Sequence, residues 1–592
     1  MGLMQKAVET YDSHYLYASE EREGSAVLAP IGHTVTNAAL EIVLDAEGNF
    51  INASVVDKAD QKIIIPVTES SAGRTKGLCA HPLCDQVGYL IPENKPKYTL
   101  YVEQLADWEA SEYRHPTLTA VLKYVRRGTV LDDLHRCGVI TLNGKGLPED
   151  EKKLVRWRVL GLEQEACWLD KKLFDAFTGY CIATHKGQAG LCMVEGKISS
   201  VAGQHPKGII PIYGNAKLIS ANDFRGFTYL GRVSEDWQAA SVSFEASQKA
   251  HNALRWLAQE QGVILGGRTF LCWNPQGCTV VQPTSPLLSR GAPVFNLSDY
   301  RDALKRALVS KKAELKQTDT VVIAAFDAAT TGRLALTYYN ELQGHDFLQR
   351  LHDWEASCCW PHQYFGIQSP SLCRIVNCAF GTQRIENGKV WMETDDRILG
   401  QQIQRMIACR VDKTWIGLDI VKALVDRASR PEARKKNTRE EILFTACAVI
   451  RKNRADRFKE EWDMALEPER NDRSYQFGRL LAVMEKVERS TYGYEETREP
   501  NAIRMQSVFC QRPMYAAGIL EKQLDRAYFP RLRPGSRIWY KNLMGQIMDV
   551  ISSFPEEAWN KPLDDTYLMG YYLQRNAFYT NNHNDEAEEN EG

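Results

Sequence analysis

A chain of 592 residues exceeds the size at which one hydrophobic core keeps growing, so two or more domains are expected. Its 44% hydrophobic and 25% charged residues describe a soluble globular protein, and a formal net charge of −2 excludes a wholly basic nucleic-acid binder while leaving room for local basic surfaces. No run of about eighteen apolar residues occurs, and the opening stretch MGLMQKAVETYDSHYLYASEE carries acids and tyrosines where a signal peptide needs an apolar run, so a cytoplasmic location with no membrane partner is expected.

Residues 1–115 read as a β-rich subdomain. AALEIVLD and NFINASVV flank Ala46-Glu47-Gly48, a hairpin signal, and KIIIPVT follows as a third strand. The loop SSAGRTKGLCAHPLCDQVGYL then sets Gly73 and Gly77 around Arg74 and Lys76. Residues 116–400 read as an α+β body: a mainly helical stretch to about 185, short strands and Gly/Pro turns such as HPKGIIPIYGNAK, and then SFEASQKAHNALRWLA from Ser243 to Ala258. That last segment is an amphipathic helix. Ala250, Leu254, Leu257 and Ala258 share one face, Gln248, Lys249, His251, Asn252 and Arg255 occupy the rest, and Ser247 is its expected N-cap. RTFLCWN and TVVIAAFDA follow as strands, with SDYRDALKRALVSKKAEL as a helix between them.

Residues 401–580 lack convincing strands and carry helical stripes, among them Ile442, Leu443, Ala446 and Ile450, then Phe477, Leu480, Leu481 and Met484. A helical bundle is expected there. RASRPEARKKNTREE, from Arg427 to Glu441, joins two stripes as a densely basic, solvated linker, and residues 581–592 (NNHNDEAEENEG) read as a disordered acidic tail. The expected fold class is α+β: a mixed α/β N-terminal body followed by an all-helical C-terminal bundle.

Catalytic patterns are absent. Cys79, His81 and Cys84 in CAHPLC form half of a zinc pattern with no tight second pair, and LNGKGLP lacks the spaced glycines and hydroxyl of a P-loop. The fifteen cysteines, odd in number and scattered through strings such as LFTACAVI, read as reduced core residues; Trp354 and Trp360 read as core. No enzyme activity and no cofactor are expected. The enzymatic alternative is a metal-dependent nuclease whose carboxylates converge only in three dimensions, with Asp327 among them.

SFEASQKAHNALRWL, HPKG at His205–Gly208, GNAKLISANDFRGFTY, FDAATTGRLALTYYNEL, DWEASCCW, SYQFGRLLAVMEKVE, QRPMYAAGILEKQL and YLMGYYLQRNAFY occur in this order. Together they resemble the large subunit of the type I-C CRISPR Cascade surveillance complex, over nearly the whole chain. Two departures stand out: Glu245 follows Ser243 and Phe244 where many members carry SFN, and His81 and Pro82 stand where many carry Asn and Phe. The resemblance implies a non-catalytic subunit of an RNA-guided antiviral complex that binds double-stranded target DNA, recognises the short adjacent motif (PAM), aids strand separation and R-loop stabilisation, and helps recruit a helicase-nuclease. It also implies crRNA-bound backbone and crRNA-end subunits as partners, together with a small subunit translated from an internal start. Met464 is the candidate start here, giving a product of residues 464–592. A purely scaffolding role is the other alternative.

Reading a PAM needs donors on a thin loop, and Arg74, Thr75, Lys76 and Gly77 fit that need. Lys207, Lys249, His251 and Arg255 are candidates for DNA or subunit contact. For the phosphates of the displaced strand the candidates are Arg434, Lys435 and Lys436 in the basic segment, Arg479, Lys486 and Arg489 on one helix face, and Lys522 with Arg526.

Overall fold

The computed structural model describes residues 2–18, 26–74, 77–220, 233–277, 280–288, 293–316, 318–330, 332–362, 365–493 and 498–589. The chain divides into two units. One comprises Met1–Ile264, Arg268–Val280 and Thr320–Glu341; the other comprises Leu265–Gly267, Val281–Asp319 and Leu342–Gly592. The division follows strand pairing. Arg268–Trp273 pairs antiparallel with Thr320–Thr330, Val322 opposite Trp273 and Phe326 opposite Thr269, so the chain returns to the first unit after the Leu297–Glu314 helix. The units therefore part at about residue 342 rather than 400.

In the first unit the AEG hairpin forms as its sequence requires. Leu40–Asp45 and Phe50–Val55 pair antiparallel, and Gly48 takes the left-handed conformation (φ 81°) that the turn needs. Val155–Leu160 then adds to Leu40–Asp45 in parallel, a pairing that requires a long crossover, supplied by the helices Lys95–Glu109, Pro116–Arg126 and Val130–Arg136. KIIIPVT does not join this sheet. Its strand Lys62–Pro66 pairs with His33–Asn37, whose sequence HTVTN is too short and polar to announce itself.

The Phe244–Gln261 helix begins four residues earlier than its expected cap. Ser243 Oγ accepts from the Ala246 amide at 3.1 Å, and Ser247 is buried inside the first turns. The helix packs on Leu3–Ala18, a helix that its mixed polar and aromatic sequence did not reveal.

The second unit carries two small hairpins, Trp360–His362 with Gly366–Gln368 and Thr382–Glu386 with Lys389–Glu393. Beyond Glu393 every regular element among the described residues is helical. Trp354 and Trp360 are buried, as are Cys358 and Cys359. The expected basic linker is no linker: Arg427 lies in the Leu418–Ala428 helix and donates to the Gly381 carbonyl, while Lys436 opens the Lys436–Phe458 helix. The Thr566–Glu589 helix runs into the stretch expected as an acidic tail, and residues 590–592 lie outside the described residues.

Arg473–Arg489 is the axis of the bundle. It crosses Thr566–Glu589 so closely that a Cβ on Gly478 would lie 2.0 Å from the Tyr567 carbonyl oxygen, and one on Gly570 2.1 Å from that of Tyr475. A helix enclosed in this way buries its polar residues too. A closed ring of alternating charge runs Arg439–Glu440–Arg575–Glu485–Arg489–Glu499 and back to Arg439, with separations from 2.6 to 4.0 Å.

Candidate nucleic-acid interface

The polar face of the Phe244–Gln261 helix looks inward and clamps two segments of the first unit. Asn252 Nδ2 donates to the carbonyls of Ala29 and Pro30, each at 3.1 Å. Arg255 donates to the carbonyls of Lys207 at 2.9 Å and Gly208 at 3.3 Å, and to Asn252 Oδ1 at 3.1 Å. His205 Nδ1 sits 2.8 Å from Ser247 Oγ. The HPKG string is thus held by its backbone, and Gly208 allows the turn with φ 65°.

Above this clamp lies a cleft of about 540 Å³, bordered by Lys62, Arg74, Lys207 and Arg255. Glu69 is the one carboxylate among its described lining residues, and it lies 3.4 Å from His185. Lys62 is exposed and Lys207 half-buried. Burial lowers the Lys207 ammonium from its ordinary value, and Lys217 adds to the effect; burial also pushes the Arg255 guanidinium down to about 10. The Lys207 ammonium, its hydration partly stripped, gains from an anion that replaces the lost water, whereas Arg255 is already held by the Lys207 and Gly208 carbonyls.

The histidines add no charge. Burial pushes His33 and His205 down to about 4 and His81 and His251 to about 3, against an ordinary 6.5. As pH falls below 6.5 the unfolded chain takes up protons that these buried rings refuse, so folded stability must decline with them. The thermal midpoint of the first unit is therefore expected to fall between pH 7 and pH 5; a midpoint that holds or rises across that window would contradict this account.

The expected site residues separate in the fold. Arg74 is spent on structure: its guanidinium pairs with the buried Asp85 at 2.8 Å, donates to the Cys79 carbonyl at 2.8 Å and lies 4.6 Å over the Tyr89 ring. It anchors the loop that was expected to read bases and cannot at the same time offer that fork to a base edge. Thr75 and Lys76 lie outside the described residues. Gly77 is left-handed, φ 102°, with open space around its Cα. Lys249 pairs with Asp12 at 3.0 Å and Glu245 at 2.9 Å. His251, expected at a partner surface, is fully buried with Nδ1 2.6 Å from the Ser247 carbonyl. CAHPLC holds no metal-like cluster among the described residues; Cys84 packs 3.7 Å from Cys167. Asp327 pairs with Arg268 at 3.0 Å.

In the bundle, Arg479 is buried, donating to Gln574 at 3.0 Å and Gln476 at 2.9 Å, so it cannot reach a phosphate. Arg489 belongs to the charge ring, and half-buried Lys486 lies 6.0 Å over Phe578. Arg434 is half-buried, whereas Lys435, Lys436, Lys522 and Arg526 are exposed. The cause is common to these corrections. Helical periodicity separates polar from apolar faces, but a helix packed all round turns both inward. Lys62 was missed because it opens a strand with no partner signal.

A two-unit α+β protein with a cation-lined cleft in one unit and an enclosed helical bundle in the other is the class defined here. The family model described as CRISPR-associated protein (Cas_Csd1) matches residues 10–579, and the chain belongs to that family. It is thereby a CRISPR-associated subunit of Cascade type. No curated protein matches the chain. Among the described residues no helix is long and apolar enough to cross a membrane.

Proposed function

We propose that this chain is the non-catalytic large subunit of a type I-C Cascade complex, binding target double-stranded DNA, recognising the PAM, supporting strand separation and the R-loop, and helping to recruit the helicase-nuclease. The cleft carries this reading. Lys62 and Lys207 border it with one opposing carboxylate among its described lining residues, and Lys207 is presented on a backbone that Arg255 fixes. Such a surface takes phosphates and sets the register of a duplex, leaving base edges to the adjoining Gly73–Gly77 loop, which Arg74 anchors. Partners in this reading are the crRNA-bound backbone and crRNA-end subunits and a small subunit.

The double variant Lys62→Glu/Lys207→Glu, assembled with guide RNA and its partner subunits, is expected to bind a PAM-containing duplex more weakly. The slope of log affinity against log salt should shrink by about 1.8, roughly 0.9 for each lost phosphate contact. An unchanged slope would remove the cleft from the DNA path. Incubating the purified chain with duplex and divalent metal tests the absence of turnover: cleavage abolished by Asp327→Asn would establish the nuclease instead.

Met464 lies between the Lys436–Phe458 and Arg473–Arg489 helices, so a product starting there carries the axis helix and everything after it. It omits Arg439 and Glu440 from the charge ring. Changing Met464 to a non-start residue in the native gene should abolish the short product.

A further inference from the structure

We propose that residues 522–541 form a binding platform for single-stranded nucleic acid. Lys522, Arg526, Arg531, Arg533, Arg537 and Lys541 fall within this stretch, and Asp525 is its only acid. Asp525 is already taken, lying 2.9 Å from Lys541. Arg526, Arg531, Arg533 and Arg537 are exposed and make no ion pair or side-chain hydrogen bond with a described residue. By contrast, half-buried Arg454 in the same bundle pairs with Asp565 and lies 3.4 Å from Glu460. Four unpaired guanidiniums on one short stretch constitute a strong anion surface.

The apolar members decide which anion. Ile538 is 57% exposed and Trp539 50% exposed, on the Pro534–Ser552 helix that the arginines lead into. Trp539 rests edge-on against Tyr540, with centroids 4.9 Å apart, and stands 6.2 Å from Phe578. The indole is braced by these two rings and half of it stays exposed. A duplex keeps its base faces stacked inside and gains little from such a ring. An unpaired base presents a free π-face, and base–aromatic stacking beside a basic track is the combination that single strands require. An acidic protein partner would use the guanidiniums and leave the indole without a role. Neither Arg531, Arg533, Arg537 nor Trp539 was singled out by periodicity, because FPRLRPGSRIWYK interrupts its own pattern with two prolines.

This inference rests on the reading of the chain as a nucleic-acid-engaging subunit, and the two fail separately. The full chain is titrated by fluorescence anisotropy with an oligothymidylate and an oligouridylate of about 20 nucleotides and with a duplex of equal length. Trp539→Ala should weaken binding of the single strand by about tenfold, with Trp539→Phe recovering most of it and duplex binding unchanged. Arg533→Ala/Arg537→Ala should reduce the salt slope for the single strand by about 1.4. The thymidylate and uridylate arms decide whether DNA or RNA is the preferred strand. Single-strand affinity that ignores both variants, or equal loss of single strand and duplex with Trp539→Ala, overturns the platform and leaves the surface to a protein partner. Loss of duplex binding confined to Lys62→Glu/Lys207→Glu leaves the platform standing and speaks only to the cleft.

Discussion

Replacing Gly478 or Gly570 with alanine is expected to break the C-terminal bundle at its centre. On an open helix the change would stabilise by about 1 kcal/mol, because glycine is the costlier helix former. Here the added methyl would sit 2.0 Å from the Tyr567 carbonyl oxygen or 2.1 Å from that of Tyr475. Both obstacles are backbone of the opposite helix and cannot rotate aside, so the two helices must move apart along a buried seam. Overpacking of this kind costs about 3 kcal/mol or more, which lowers the melting midpoint of a unit this size by roughly 5 °C. Gly518 and Gly545, in neighbouring helices with nothing near their Cβ positions, supply the control: alanine there should raise the midpoint slightly. A Gly478→Ala chain that melts at or above the parent temperature would show that the crossing is looser than described. The consequence for function is direct, since any product beginning at Met464 consists of this bundle.

Arg575→Met is the second large effect. Arg575 lies 3.0 Å from Glu440 and 3.7 Å from Glu485, and Glu485 is buried with its other oxygen engaged by Arg489 at 2.6 Å. Burial alone would raise the Glu485 carboxyl, yet Arg575 and Arg489 hold it below its ordinary 4.5. Such a group contributes stability above that ordinary value and loses it as pH falls through its folded value. Removing Arg575 leaves a buried charge short of its partner, at about 3–5 kcal/mol near pH 7. Without the cation burial prevails, the carboxyl rises, and protonation relieves the strain. The gap between variant and parent in denaturant midpoint should therefore narrow as pH falls below 4.5. Adding Glu485→Leu should recover part of the loss by removing the stranded charge. A gap that widens in acid would mean that Glu485 is not the group left unpaired.

Much of the architecture was legible along the chain. The AEG hairpin needed only alternating apolar residues and a glycine free to turn left-handed. The helical stripes after residue 400 located the bundle, and the apolar settings of Trp354, Trp360, Cys358 and Cys359 marked them as core. Spaced strings from Ser243 onward pointed to a family whose model covers residues 10–579. What failed was the assignment of charge to surface. Arg74, His251 and Arg479 each looked available, and each is committed within the fold, to Asp85, to the Ser247 carbonyl and to Gln574 respectively. A sequence shows that a residue is charged; only its neighbours show whether that charge is already used.

Period, turn chemistry and local order were enough for the α+β class, the hairpin, the helical C-terminal stripes and the family. The parting of the two units at about residue 342 came from long-range packing, since it depends on Arg268–Trp273 finding Thr320–Thr330 across an intervening helix. Such packing also decided the role of the polar face of SFEASQKAHNALRWLA. Lys249, Asn252 and Arg255 do not wait for a partner there; they hold Asp12, the Ala29–Pro30 backbone and the HPKG turn. Long-range pairing brings together groups far apart in the chain, and no local pattern encodes which of them will meet.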